Sequence, residues 1–219
     1  MPVEINDILH VLAHELRTPV GIAHGYVRLL LEDRLPDGSE RRRALEQTQK
    51  ALSRLTELSH EATALASHYE QDRNGHQEVS TNELSQQLAS ADYDFPVSVE
   101  MSDLSKGVVR TLDRDALVQA LVAVVRATAR ELRGEECSVS MRGDLTTFDL
   151  LAGPSQQIAA LASGPESADS GPLILERGGL GLSLVHAAVV LDAHGAQRWA
   201  LKASRQTAGI RFPLQEFRS

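Results

Sequence analysis

The chain has 219 residues, of which 42% are hydrophobic and 24% charged, and its formal net charge is −8. This apolar content supports packed domains and argues against a disordered chain. The negative charge argues against a broad nucleic-acid or anionic-membrane surface, and the single cysteine, Cys137, excludes an intramolecular disulfide framework. No stretch approaches the length of a membrane span and the N-terminus lacks signal-peptide features, so we expect a cytoplasmic protein with no membrane partner.

Two long amphipathic helices are predicted at the front of the chain, over residues 4–34 and 40–71, because apolar residues recur there at helical spacing. Turn-forming residues at 35–39 predict that the helices form an antiparallel hairpin. Two narrow apolar seams bury little surface alone, so we expect a homodimer in which two hairpins form a four-helix bundle. The alternative is that the hairpin packs on the rest of its own chain. The residues of the predicted dimer seam are Leu9, Leu12, Leu16, Leu52 and Leu55.

The predicted domains are a helical hairpin at 1–73, a polar linker at 74–80 and an α/β domain at 81–219. Ser80 and Glu83 have the spacing of a capping box, which predicts a short helix that ends near residue 90. Beyond it, the mixed pattern predicts an α+β layer with the helices on one face of the sheet. The predicted strands are 97–101, 108–112, 137–141, 146–151, 197–203 and 207–214, and the predicted longer helices are 113–133 and 180–193.

One face of the first helix is polar and carries two glycines. His14 lies opposite the apolar seam on a helical wheel, with His10, Gly21 and Gly25 within roughly 40° of it. A glycine inside a helix costs about 1 kcal/mol relative to alanine. A partner that approaches the backbone closely would explain both glycines, whereas the alternative is an ordinary solvated face with surface histidines.

The six residues from His14 to Pro19 read His-Glu-Leu-Arg-Thr-Pro and resemble the H box of the two-component sensor histidine kinases at every position. The resemblance implies that His14 is the phosphoacceptor, that Glu15 orients or activates its imidazole, and that Thr18 supports dephosphorylation of a partner. For Glu15 and Arg17 the alternative is ordinary solvation. The expected partner-binding residues are His10, Arg17, Gly21 and Gly25.

Pro19 lacks a backbone N–H, so it removes one helical hydrogen bond just past His14. A helix break and a kink are both open. Because the apolar pattern continues through Ala23 and Val27, a kink is favoured.

The order of elements after residue 80 resembles the ATP-binding domain of histidine kinases, whose fold is shared with gyrase and heat-shock chaperone ATPases. The sequence Gly-Leu-Gly-Leu at 179–182 is similar to the second glycine box of that family, and Gly153-Pro154 fits the first. The resemblance implies an α/β sandwich of the histidine-kinase ATPase type. The cofactor-binding positions that remain, in vestigial form, are Gly153, Gly179 and Gly181.

Several positions depart from the ATP-binding pattern of the family. Ala123 and Ala127 stand where asparagines hold magnesium, and Leu151 stands where an aspartate receives the adenine amino group. Asp149 keeps the same strand face as Leu151 but lies two residues earlier. Since magnesium requires oxygen ligands, we expect no ATP-driven autophosphorylation, no metal site, and ATP and Mg²⁺ absent or weakly bound as cofactors. Glycines of the pattern are replaced by Ser155 and Arg177.

An intact phosphoacceptor motif beside a degenerate ATPase-like domain resembles bacterial histidine phosphotransferases, which have this organisation. The resemblance implies two-component signalling in which His14 exchanges a phosphoryl group with the receiver aspartate of a response regulator. An upstream histidine kinase is a further expected partner, and nucleic acid is not. Two alternatives are open: an active histidine kinase with a divergent ATP site, and a non-catalytic adaptor that docks regulators or kinases.

Overall fold

A computed structural model describes most of the chain, and its parts form two compact units, Glu4–Gln71 and Asp72–Ser219. No helix within the described ranges is both long and apolar enough to cross a membrane. The described residues are 5–35, 37–70, 77–102, 108–111, 113–144, 146–175 and 180–213.

The first unit is a hairpin of two helices, α1 (Ile5–Leu31) and α2 (Gly38–Glu70). An ion pair between Arg41 and Asp33 lies near the turn, and one between Arg54 and Glu15 lies farther along, so the helices are antiparallel. Both predicted helices are confirmed, with ends that differ by a few residues. The buried apolar residues of the hairpin are Val11, Ala44, Ala51, Leu58 and Leu65.

Pro19 lies inside α1 and is buried. The helix nevertheless continues to Leu31. The helix break that was open at this position therefore does not occur, as the continuing apolar pattern predicted.

The second unit contains a six-stranded sheet in the order β2-β4-β5-β8-β7-β6, with a separate antiparallel pair formed by β1 and β3. Strands β2 and β4 are parallel, and all other neighbours in the large sheet are antiparallel. The elements are β1 (Gln77–Ser80), α3 (Thr81–Ser90), β2 (Val97–Met101), β3 (Val108–Thr111), α4 (Arg114–Glu131), β4 (Cys137–Gly143), β5 (Thr147–Gly153), α5 (Ser155–Leu161), β6 (Ser170–Pro172), α6 (Leu182–Ala193), β7 (Gln197–Leu201) and β8 (Ala208–Pro213).

The large sheet is covered by helices on both faces. Its main core joins α3, α4 and α6 to one face, which includes Phe148 and Leu150 of β5. The next residue, Leu151, points to the other face and packs with Leu161 of α5 and Trp199 of β7. The prediction of helices on one face is therefore wrong for α5, because a seven-residue helix is too short to show a periodic apolar pattern.

All six predicted strands are confirmed, although β1 and β6 were not predicted. Residues 77–80, which fall in the predicted linker, form β1 because they pair with Val108–Thr111. Such pairing between distant segments leaves no signal in a four-residue polar stretch. The capping prediction is confirmed, since the Ser80 side chain accepts a hydrogen bond from the Glu83 backbone N–H at 3.2 Å.

Gly209 offers a test of the packing on the α5 face. It pairs with Trp199 across β7 and β8, and a Cβ at this position would lie 2.2 Å from the Trp199 ring. We expect Gly209→Ala to reduce the free energy of unfolding by about 1–3 kcal/mol through overpacking. Urea denaturation followed by circular dichroism measures this change.

The control is Gly25→Ala, because a Cβ there meets no atom within 4 Å. It should be neutral or stabilising by up to about 1 kcal/mol. Equal stability of Gly209→Ala and wild type would contradict this packing.

Candidate functional site

The imidazole of His14, the phosphoacceptor candidate, is exposed on α1. Its side chain is 71% exposed. The buried residues Val11 and Pro19 mark the covered side of α1, and on the helical wheel His14 lies about 60° from Val11 and about 140° from Pro19. The structure also places His10, Arg17 and Thr18 among the exposed residues of the same helix.

The carboxylate of Glu15 lies between His14 and α2 and is only 24% exposed. One oxygen, Oε1, is 3.8 Å from Nδ1 of His14, and the other, Oε2, is 3.5 Å from Nη2 of Arg54. At 3.8 Å the contact between His14 and Glu15 is longer than a hydrogen bond and is an electrostatic contact between neighbouring side chains. A proton on Nδ1 directed at this carboxylate leaves the lone pair of the ring on Nε2.

Arg54 of α2 is a residue of this site that the sequence did not single out. Its Nη1 contacts Glu57 at 3.1 Å and Glu61 at 3.3 Å, while Nη2 reaches Glu15 of α1. Burial lowers the pKa of Arg54, but the hydrogen bonds and charges of Glu57 and Glu61 outweigh it, so that the pKa is raised. The spacing to Glu57 and Glu61 is visible in the sequence, whereas the contact with Glu15 depends on the register of the hairpin.

The hydroxyl of Thr18 takes part in none of the hydrogen bonds between described residues. In contrast, the hydroxyls of Thr48, Thr56 and Thr63 each donate to the carbonyl four residues earlier, at 2.9, 3.2 and 2.9 Å. Thr18 is exposed and lies one turn beyond His14. Its hydroxyl is thus available to a water molecule or a partner on the same side of α1.

The two glycines of α1 have no packing role within the hairpin. Gly21 and Gly25 are exposed, and a Cβ at either position meets no atom within 4 Å. Together with Tyr26 and Arg28 they line an open groove of about 480 Å³. The structure therefore leaves the backbone of this segment open to close approach from outside.

The predicted seam residues lie at the edge of the hairpin and outside its buried interior. Leu9 is 56% exposed and Leu52 is 52% exposed, while Leu12, Leu16 and Leu55 are half-buried. Further exposed apolar residues of the hairpin are Val20, Ile22, Val27, Leu31 and Leu45. A single hairpin thus leaves considerable apolar surface in contact with water.

In the second unit, the positions expected to bind magnesium and adenine are apolar and covered. Ala127 is fully buried in the core of α4, and Ala123 packs against the same core. Leu151 is fully buried against Leu161 and Trp199. None of these three side chains carries an atom that can ligate a metal or accept a hydrogen bond.

Asp149 is buried on the face of the sheet that α5 covers, away from α4 and α6. Its carboxylate accepts two hydrogen bonds from Arg211, at 2.7 and 2.8 Å, and lies 3.6 Å from Arg142. Arg211 in turn lies over the Trp199 ring, 5.6 Å from its centroid. The carboxylate is committed to a cross-strand ion pair with β8.

The described glycines of the two glycine boxes are each required by the backbone. Gly153 has a φ of +155°, and a Cβ there would lie 2.9 Å from the carbonyl oxygen of Gln206. Gly181 has a φ of +46° where α6 begins. Gly179 lies outside the described residues. Within the described part of the chain, no group of three or more His, Cys, Asp or Glu side chains is arranged to hold a metal ion.

Comparisons with known proteins agree with this two-unit organisation. Residues 4–68 match the family model of the His Kinase A (phospho-acceptor) domain. The histidine kinase AdeS of Acinetobacter baumannii is similar over 93% of this chain and 98% of its own, with 17% identity and a TM-score of 0.54. No curated protein sequence matches the chain.

Histidine kinase ThkA, solved in complex with the response regulator protein TrrA, is similar over 92% of this chain and 59% of its own. The identity is 20% and the TM-score 0.53, so the likeness is one of fold, and this chain spans less than two thirds of ThkA. The hairpin thus matches the phospho-acceptor domain family, and the chain as a whole shares the fold of these histidine kinases.

Proposed function

We propose that the protein is a histidine phosphotransferase of two-component signalling. In this role His14 exchanges a phosphoryl group with the receiver aspartate of a response regulator, without drawing it from ATP. The observation that carries this proposal is the exposed imidazole of His14, whose Nδ1 lies 3.8 Å from the Glu15 carboxylate. This arrangement leaves Nε2 as an outward nucleophile.

The transfer uses the nitrogen that faces solvent. Nε2 of His14 attacks the phosphorus of the receiver's aspartyl phosphate, a P–N bond forms, the P–O bond breaks, and the aspartate carboxylate leaves with the electron pair. The ring becomes cationic, and the carboxylate of Glu15 stabilises the proton that remains on Nδ1. Magnesium is supplied by the receiver, so His14 need only be presented in the correct geometry. The same steps in reverse return the phosphoryl group.

The second unit supports the absence of ATP-driven phosphorylation. Ala123 and Ala127 offer magnesium no oxygen, and Leu151 offers adenine no acceptor. Asp149 cannot substitute, because both oxygens of its carboxylate accept hydrogen bonds from Arg211. Without these oxygen ligands for magnesium, we expect the main charge stabilisation for transfer from ATP to be missing.

The expected partners follow from surfaces of the hairpin. The exposed apolar residues, including Leu9 and Leu52, provide the surface that a second copy would bury in a four-helix bundle. The complex of ThkA with a response regulator supports a response regulator as the expected partner. An upstream histidine kinase would phosphorylate the receiver aspartate of that regulator. We propose that this exchange takes place in the cytoplasm.

Phosphoryl transfer to His14 tests the proposal. Incubation with a phosphorylated receiver should label the wild-type protein and leave His14→Ala unlabelled, while labelled ATP with Mg²⁺ should label neither. His24→Ala is the control, since His24 is also exposed on α1. Labelling of wild type by ATP that is lost in His14→Ala would indicate an active kinase, and no labelling by any receiver would indicate an adaptor.

Thr18 is expected to act on the phosphorylated receiver rather than on His14. Because its hydroxyl is available to a water molecule, Thr18→Ala should slow loss of phosphate from the receiver by about tenfold or more, while His14 is labelled at the normal rate. The two rates are measured separately by electrophoresis of labelled proteins.

The control for Thr18 is Thr56→Ala, whose hydroxyl already donates to the carbonyl of Leu52. It should change neither rate. Equal loss of both rates in Thr18→Ala would mean that Thr18 only supports the fold.

Arg54 is expected to position Glu15. Arg54→Met should slow labelling of His14 by roughly tenfold, since the carboxylate loses the contact that holds it beside the imidazole. Arg54→Lys should recover part of the rate. The initial rate of transfer from a phosphorylated receiver measures both.

Arg42→Met is the matched control. Among the described ion pairs Arg42 pairs only with Glu46, and it lies nearer the start of α2 than Arg54 does. It should transfer at the wild-type rate. If Arg54→Met also transfers at that rate, Arg54 does not act through Glu15.

A further inference from the structure

A second histidine precedes His14 by one helical turn. His10 and His14 both lie in α1, and both are exposed. Residues four apart on a helix have Cβ atoms about 5–6 Å from each other, so the two imidazoles project from the same side. Paired histidines at this spacing on a helix are able to bind one transition-metal ion between them.

The contact with Glu15 favours one nitrogen of His14 over the other as a metal ligand. Nδ1 lies 3.8 Å from Oε1 of Glu15, so a proton on Nδ1 is favoured by the negative charge of the carboxylate. The lone pair on Nε2 therefore points away from that carboxylate. The nitrogen that would bind a metal is the nitrogen that accepts the phosphoryl group.

The two imidazoles offer fewer ligands than a structural metal centre. No group of three or more candidate ligands occurs among the described residues, so water would complete the coordination of any ion bound here. Neutral imidazole favours zinc, copper and nickel over magnesium and calcium. Such a two-ligand clamp exchanges its ion readily, unlike a closed four-ligand site.

We propose that His10 and His14 form a binding site for a divalent transition-metal ion of the zinc type, and that the bound ion prevents phosphorylation of His14. Metal and phosphoryl group compete for one lone pair, so each excludes the other. The inhibitory effect rests on the proposed phosphotransfer function. Metal binding itself does not, because it requires only the helix and its two imidazoles.

Titration of Zn²⁺ alone into the unphosphorylated full chain tests the site, with isothermal calorimetry as the readout. We expect one ion per chain in this site. Binding should weaken by roughly tenfold or more in both His10→Gln and His14→Gln, because each variant removes one of the two ligands. His24→Gln is the control, since positions 20 and 28 are Val and Arg and give His24 no partner histidine one turn away.

Wild-type affinity in His10→Gln, or no binding to the wild type at millimolar Zn²⁺, would overturn the site. In a transfer assay, Zn²⁺ should slow labelling of the wild type more than labelling of His10→Gln. Each variant is compared with itself with and without Zn²⁺, so that an effect of His10 on receiver docking cancels. Equal inhibition of both would overturn the competition, and a chain that binds Zn²⁺ but is never phosphorylated would refute only the proposed function.

Discussion

The rotation of α1 within the hairpin is the constraint on which the candidate site depends. Val11 and Pro19 are buried, and this fixes which side of the helix is covered. Pro19 ends the six-residue motif that begins with His14, so one short segment supplies both the exposed nucleophile and a buried anchor. Arg54 then links α2 to the site through Glu15, at 3.5 Å. The His14 imidazole is thus exposed to solvent, while Arg54 of α2 contacts the carboxylate of the adjacent Glu15.

The two units differ in the polarity of the residues that the family resemblance assigns to phosphoryl transfer and nucleotide binding. The hairpin has polar groups at its exposed face, whereas the second unit has apolar side chains at the positions where the family resemblance leads us to expect magnesium and adenine ligands. Ala127 and Leu151 contribute to buried cores on opposite faces of the same sheet. Gly153 and Gly181 remain, and the backbone accounts for both. The fold and its glycine turns are therefore not evidence by themselves that a cofactor binds.

Elements with a strong repeating pattern were predictable from the sequence, and contacts between distant segments were not. Both hairpin helices and the six longer strand predictions rest on periodicity, which local sequence records directly. Strand β3 is as short as β1 but begins with two valines, whereas β1 (Gln-Glu-Val-Ser) and β6 (Ser-Gly-Pro) have no apolar run to predict them. The ion pairs Arg54–Glu15 and Arg211–Asp149 depend on the register of two helices and of two strands. The H box identified His14, but only the structure shows what holds Glu15.

The central claim is that His14 accepts a phosphoryl group that the protein does not draw from ATP. Measuring the binding of ATP and Mg²⁺ tests this claim most directly. A calorimetric titration of the full chain with ATP in excess Mg²⁺ is predicted to show no saturable binding at millimolar nucleotide. Saturable binding in the micromolar range that disappears when Mg²⁺ is removed would contradict it, because the second unit would then hold a metal–nucleotide complex without the expected ligands.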